Sequence, residues 1–143
     1  MNILFFLTPK SEVDYIEEDA SLKDTVRKML ERNYSEIPVV GKDGGYVGTI
    51  KSGDIMAYMA NNRDLSLEAA APTPLKNIRR IRDNKAVNIN CQIEDMVEKV
   101  LNQNFVPVVD DEDKFIGIVT RSAVVRFMHN AYIEHNSDGT GDK

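Results

Sequence analysis

Apolar positions along the chain follow first a helical period and then a strand period, and this succession occurs twice. Leu22, Val26, Met29 and Leu30 recur at helical spacing behind Ser21, a candidate N-cap with Asp24 three residues on. Ile93, Met96, Val97, Val100 and Leu101 recur in the same way later in the chain. Each run is followed by a strand-like segment through "PVV", a turn, and a second strand, "YVGTI" or "FIGIV". A second helix then carries Ile55, Met56 and Met59 in the first copy and Val124, Val125, Phe127 and Met128 in the second. Short strands are expected before each unit, at Val13–Ile16 and Ala86–Ile89. The predicted order is β-α-β-β-α, twice.

The two copies align residue by residue. "IPVVGKDGGYVGTIKSGDI" (Ile37–Ile55) matches "VPVVDDEDKFIGIVTRSAV" (Val106–Val124) without a gap at an offset of 69 residues. Upstream, "SLKDTVRKMLERN" matches "QIEDMVEKVLNQN". An internal repeat of this kind signals a duplicated supersecondary unit. It also disposes of a tempting motif. The lysine and glycines of "GKDGGYVG" resemble a phosphate-gripping loop, but such a loop would be G-x-x-x-x-G-K-[ST] running directly into a helix. Here the stretch joins two hairpin strands, with Gly44-Gly45 supplying a turn that needs positive φ.

Between the copies, "NNRDLSLEAAAPTPLKNIRRIRDNK" predicts a short helix ended by Pro72 and Pro74, then a basic connector. The organisation expected is a first repeat over residues 8–60, a linker over 61–85, a second repeat over 86–135 and a disordered polar tail over 136–143. The opening "MNILFFL" has neither a basic leader nor the length of a membrane span, and reads as a segment docking on the core.

Composition narrows the function classes. A 143-residue chain buries about 70% of its unfolded-state surface and needs no metal or disulfide to fold. A single cysteine, Cys91, fits a reducing cytoplasm. Net charge of −5 argues against DNA or RNA as partners, although Lys76, Arg79, Arg80, Arg82 and Lys85 form a local basic cluster. His129 and His135 have no clustered ligands beside them, and Cys91 has no histidine to activate it. No catalytic set can be assembled, so a non-enzymatic protein without a metal is expected.

The segments after the hairpins are the candidate sites. "GTIKSGD" (Gly48–Asp54) and "GIVTRSA" (Gly117–Ala123) each leave a strand and enter a helix, where backbone N–H groups and the helix dipole favour anions. Asp54 has a second reading as a helix cap, and Arg121 as an ion-pair partner of the run Asp110–Asp113. Tyr15 and Phe105 can equally be core aromatics.

These residues resemble the CBS-domain family: "PVV", a turn, then G-h-x-[T/S]-x-x-[D/N], in a tandem known as a Bateman module. The resemblance implies an α+β fold of two β-α-β-β-α repeats packed around a pseudo-twofold axis, with two inter-repeat clefts that bind adenine nucleotides. One cleft would combine Thr120, Arg121 and Ser122 with Glu12, Val13, Tyr15, Glu36 and Ile37, holding phosphate with a base on Tyr15. The other would combine Lys51 and Asp54 with Lys85, Ala86 and Phe105, holding a ribose. The segments "YVGTIKSGDIMAY", "FVPVVDDEDKFIGIVTRSAVV" and "FLTPKSEVDYI" resemble stand-alone CBS proteins of Gram-positive bacteria that bind cyclic di-AMP. The likeness implies a cytoplasmic regulator that docks on an enzyme such as a (p)ppGpp synthetase/hydrolase. AMP, ADP or ATP is the alternative ligand, and a ligand-free protein-interaction module the alternative role. A homodimer is expected from the apolar faces carrying Met56, Met59, Phe127 and Met128.

Overall fold

The computed structural model describes residues 1–141. In chain order its elements are β1 (Thr8–Pro9), β2 (Ile16–Glu17), α1 (Leu22–Arg32), β3 (Glu36–Val40), β4 (Tyr46–Lys51), α2 (Ser52–Asn61), α3 (Leu67–Ala70), β5 (Val87–Asn88), α4 (Val97–Val100), β6 (Phe105–Val109), β7 (Phe115–Thr120) and α5 (Arg121–Gly141). Short 3₁₀ turns cover Ile3–Phe6, Lys10–Glu12, Leu75–Asn77 and Ile93–Met96. The strands form two sheets, β2-β3-β4 and β1-β7-β6-β5. In each, a short strand lies parallel to a hairpin: β2 on β3 and β5 on β6. The hairpins share one register, Ile37 opposite Ile50 and Val106 opposite Val119, and both slip at the same place, Val39/Val40 and Val108/Val109.

Local chemistry accounts for the helices. The Ser21 hydroxyl accepts from the Asp24 N–H at 3.1 Å, capping α1, and Asn33 ends it in the left-handed conformation at φ 57°. Leu22 and Met29 are buried, but Leu30, one position further round, is 76% exposed. Its counterpart Leu101 is 74% exposed. The sequence pattern placed both leucines on the buried stripe; the stripe is narrower than that. The turn reading holds for Gly44, at φ 87°, whereas Gly45 does not have positive φ. In the second copy the matching residue Asp113 takes φ 61° without being glycine. The first short strand begins at Ile16, later than Val13.

Each sheet buries its inner face in a core of its own, and each core takes in a segment from outside its repeat. Ile3 is fully buried against Val87, Ile93, Met96 and Val119 of the second unit. Backbone bonds hold it there, from Ile3 N–H to Cys91 C=O at 3.2 Å and from Ile93 N–H to Met1 C=O at 2.8 Å. In the first unit, Leu75 and Ile78, each 2% exposed, join Ile16, Leu22, Ile37 and Ile50. The basic connector therefore carries two core residues, Leu75 just before its cations and Ile78 among them.

Two glycines at matching positions permit these overlays. A Cβ on Gly117 would collide with the carbonyl oxygen of Thr8, and one on Gly48 with Arg80 Nε and Asp83 Oδ1. The rest of the N-terminal segment and the connector can cross the sheets only because both positions lack a side chain.

The axis relating the two units is visible in the residues that meet their own counterparts. Gly45 bridges Lys114, and the rings of Tyr46 and Phe115 stack 6.4 Å apart at 27°. Phe115 N–H also donates to Gly44 C=O at 2.9 Å. Both pairs are separated by the repeat offset, as contacts on a pseudo-twofold must be. Helix α5 continues past His135 to Gly141, so the tail expected to be disordered from residue 136 is helical as far as Gly141. Asp142 and Lys143 lie outside the described residues.

Candidate functional site

Two clefts flank the axis, each built from the end of one repeat's hairpin and the opening segment and helix of the other. The first, about 330 Å³, is lined by Lys51 at the end of β4, by Arg82–Lys85 before β5, and by Glu98, Lys99, Leu101, Asn102 and Gln103 around the end of α4. The second, about 320 Å³, is lined by Thr8, Glu12–Asp14, Asn33–Glu36, Pro38, Asn104, Phe105, Ile118 and Thr120. Both are large enough for part of a nucleotide.

Their electrostatics are opposite. Lys51, Arg82, Lys85 and Lys99 face the first cleft against Asp83 and Glu98. Asp83 is already engaged, its Oδ1 accepting from Arg80 Nε at 2.7 Å and from Thr49 N–H at 2.9 Å. Among the described residues, none of those four cations has an ion-pair partner. The second cleft is lined by Glu12, Asp14 and Glu36 and by no lysine or arginine, and Asp14 alone is neutralised, by Arg32 at 3.2 Å. The duplication explains the contrast. Lys51 stands where the other repeat has Thr120, Lys85 where it has Asp14, and Phe105 where it has Glu36.

Of the residues assigned to a phosphate cleft, Glu12, Val13, Glu36 and Thr120 line the second cleft together, while Tyr15, Ile37, Arg121 and Ser122 do not. Ile37 is fully buried in the first core. Tyr15 packs edge-on against Phe115 at 6.0 Å, with Lys10 Nζ 5.3 Å from its ring centroid. Arg121 directs Nε to the carbonyl of Val100 at 2.8 Å. Ser122 meets the Thr120 hydroxyl at 3.1 Å, and Thr120 Oγ1 also accepts from Ala123 N–H, capping α5. Of the expected phosphate grip, Thr120 lines the cleft and Ser122 bonds to it, and the ionisable side chains on the cleft wall are acidic.

Of the second set, Lys51 and Lys85 line the cationic cleft, Ala86 does not, and Phe105 lines the opposite cleft. Asp54 is 3% exposed, and both its oxygens are taken, Oδ2 by Lys51 N–H and Oδ1 by Ile81 N–H, each at 2.9 Å. It is not the N-cap, which is Lys51, but the third helical residue reaching back to the N-cap N–H, so it caps α2 from inside the helix. Sequence reasoning missed Lys99, on the polar side of α4, and passed over Arg82 and Asn84 as connector.

The wall between the clefts is a buried polar network. The Tyr46 hydroxyl donates to Asn84 C=O at 2.6 Å and contacts Thr49 Oγ1 at 2.6 Å. Burial raises the Tyr46 phenol above its ordinary range, so it stays protonated as this bond requires. The Gln103 amide bridges Lys85 N–H at 2.9 Å and Phe105 C=O at 3.2 Å. Elsewhere, burial and then Asp95 push the Cys91 thiol up, away from thiolate chemistry. Among the described residues no three His, Cys, Asp or Glu side chains are grouped to hold a metal ion, and no helix is long and apolar enough to cross a membrane.

Comparison with known proteins fits this architecture. The CBS domain family model matches residues 7–61 and 75–130. The protein MJ1426 of Methanocaldococcus jannaschii is 30% identical over 141 residues, a match covering 79% of this chain and 84% of that one. Among solved structures, CbpB of Listeria monocytogenes in complex with c-di-AMP superposes with a TM-score of 0.78 at 23% identity, covering 92% of this chain and 97% of that one. CBSX2 in complex with AMP, a CBS-pair protein of Arabidopsis thaliana, gives 0.73 at 22% identity, covering 92% and 98%. With two matched copies, a shared register and an axis between them, the chain belongs to the CBS-domain family, as a tandem pair.

Proposed function

We propose that this CBS pair is a sensor of phosphate-bearing adenine nucleotides, taking its ligand in the cationic cleft, and that it regulates a partner enzyme by contact. The observation that carries the reading is the set of four cations, Lys51, Arg82, Lys85 and Lys99, that converge on one cleft with no ion-pair partner among the described residues. Charge-assisted hydrogen bonds to phosphate contribute about 1.5–3 kcal/mol each, and a ligand that draws Lys51 and Lys85 together also draws the repeats together. Similar folds hold c-di-AMP and AMP, and cyclic di-AMP, with its two phosphodiesters set apart, can meet cations from both repeats at once. Phosphate sits here rather than at Thr120, because the cleft at Thr120 is acidic.

Calorimetric titration with cyclic di-AMP, AMP and ATP tests the assignment. The expected outcome is saturable binding, tightest for cyclic di-AMP and weakening as salt rises. No heat with any of the three would leave a protein-interaction module as the better reading.

The pair should also form a homodimer. Met56 and Val125, equivalent positions on α2 and α5, are 70% and 53% exposed, and Met128 is 44% exposed. The two repeats therefore present matching apolar faces. Sedimentation velocity should show a species of about twice the 16.1 kDa chain that Met56→Lys/Met128→Lys dissociates. A wild-type monomer at tens of micromolar would sink the idea.

A further inference from the structure

Asn84 lines the cationic cleft, is 1% exposed, and holds the one buried side-chain polar atom among the described residues that lacks a hydrogen-bond partner, its Oδ1. Buried acceptors are almost always satisfied, and an orphan asks for an explanation. Its orientation is not free. Nδ2 donates to Glu36 Oε1 at 2.8 Å and to Phe105 C=O at 3.3 Å. Both are acceptors, so turning the amide over would set Oδ1 against a carboxylate and a carbonyl. Glu36 and Phe105 belong to the lining of the opposite cleft. Residues of the acidic cleft thus fix which way the Asn84 amide is turned and leave Oδ1 as its unpartnered end.

We infer that Asn84 is a specificity-determining residue of the cationic cleft, its Oδ1 accepting a hydrogen bond from the exocyclic amine of an adenine base. The inference rests on the nucleotide reading above and deepens it. A 6-amino purine offers a donor where a 6-oxo purine offers a further acceptor, so the locked amide selects adenine over hypoxanthine at equal size and charge. A site built around a buried polar group rejects the ligand that leaves it unpaired far more strongly than an apolar wall rejects a change of shape. Val13, at the equivalent place in the other repeat, has no such group, so the discrimination belongs to one cleft. Glu36 acts through Asn84 as a positioning residue.

The test compares AMP with IMP, and cyclic di-AMP with cyclic di-IMP, by calorimetry on the wild-type protein, Asn84→Leu and Glu36→Gln. Wild type should favour the adenine ligand at least tenfold. Asn84→Leu should bring the ratio near one. Glu36→Gln should narrow the ratio in part by improving the hypoxanthine ligand, because a glutamine amide can donate to Oδ1 while the Phe105 carbonyl still favours Nδ2 on its side. That shift in ratio separates positioning from a loss of fold. Equal affinity of wild type for both bases, or a ratio unchanged in both variants, would overturn the inference and leave the nucleotide sensor standing. Absence of binding by all four nucleotides would overturn both.

Discussion

Reversing Lys51 and Lys85 together, as Lys51→Glu/Lys85→Glu, should lower nucleotide affinity at least a hundredfold while the thermal transition moves little. The two lysines come from different repeats and face the same cleft. Losing two charge-assisted hydrogen bonds of about 1.5–3 kcal/mol each removes roughly 3–6 kcal/mol, or about two to four decades of affinity, before repulsion is added. Folding should be nearly indifferent, because neither side chain has an ion-pair partner among the described residues and surface charges contribute little to stability. The control is Arg121→Glu, which should keep its affinity, since that side chain is directed at the Val100 carbonyl. The opposite pattern, with Arg121→Glu losing binding and the lysine pair keeping it, would return the phosphate to the cleft at Thr120 and defeat the electrostatic assignment.

The largest effect on stability should come from the smallest substitution. Gly117→Ala places a methyl group against the Thr8 carbonyl oxygen at a backbone φ of 153°. Overpacking costs about 1–3 kcal/mol and an unfavourable backbone region a further ~1–3 kcal/mol. A loss of about 3 kcal/mol is expected, roughly 10 °C of melting temperature for a chain of this size. Gly48→Ala should cost less. There the obstruction is Arg80 Nε and Asp83 Oδ1, side-chain atoms that can move, whereas at Gly117 it is backbone paired in β1. Denaturant unfolding of both variants reads the order directly. A Gly117→Ala protein within 1 kcal/mol of wild type would mean that β1 is not held on β7 in solution.

The two glycines also show where sequence reasoning stopped. Their repetition at matching positions was plain, but what crosses them was not. The overlay pairs Thr8 and Pro9 with residues more than a hundred positions away. The connector behaved likewise. Its cations were legible, while Leu75 just before them and Ile78 among them are core residues at 2% exposure. Short apolar residues between charges carry no period, so nothing local marks them as core.

The candidate site divides in the same way. Lys51, Lys85, Glu12, Val13, Glu36 and Thr120 were implied by the likeness to CBS domains, carried onto matching positions of the two copies, and each lines a cleft. Arg121, Ser122, Tyr15 and Ile37 lie next to those residues in sequence but do not line the clefts. A neighbour one or two places along a strand or at a helix start points in another direction.

By itself, then, the sequence determined the duplication, the order of elements, the hairpin turn at Gly44 and the existence of two unequal clefts. The first three follow from periodicity and from comparing the chain with itself, and the clefts from its likeness to CBS domains. Only the tertiary structure decided the sign of each cleft, the capping role of Asp54 and the locked amide of Asn84. Charge in a cleft is summed over segments from both repeats, and the direction of a buried amide depends on partners as far away as Glu36. Neither quantity is a property of any local stretch of chain.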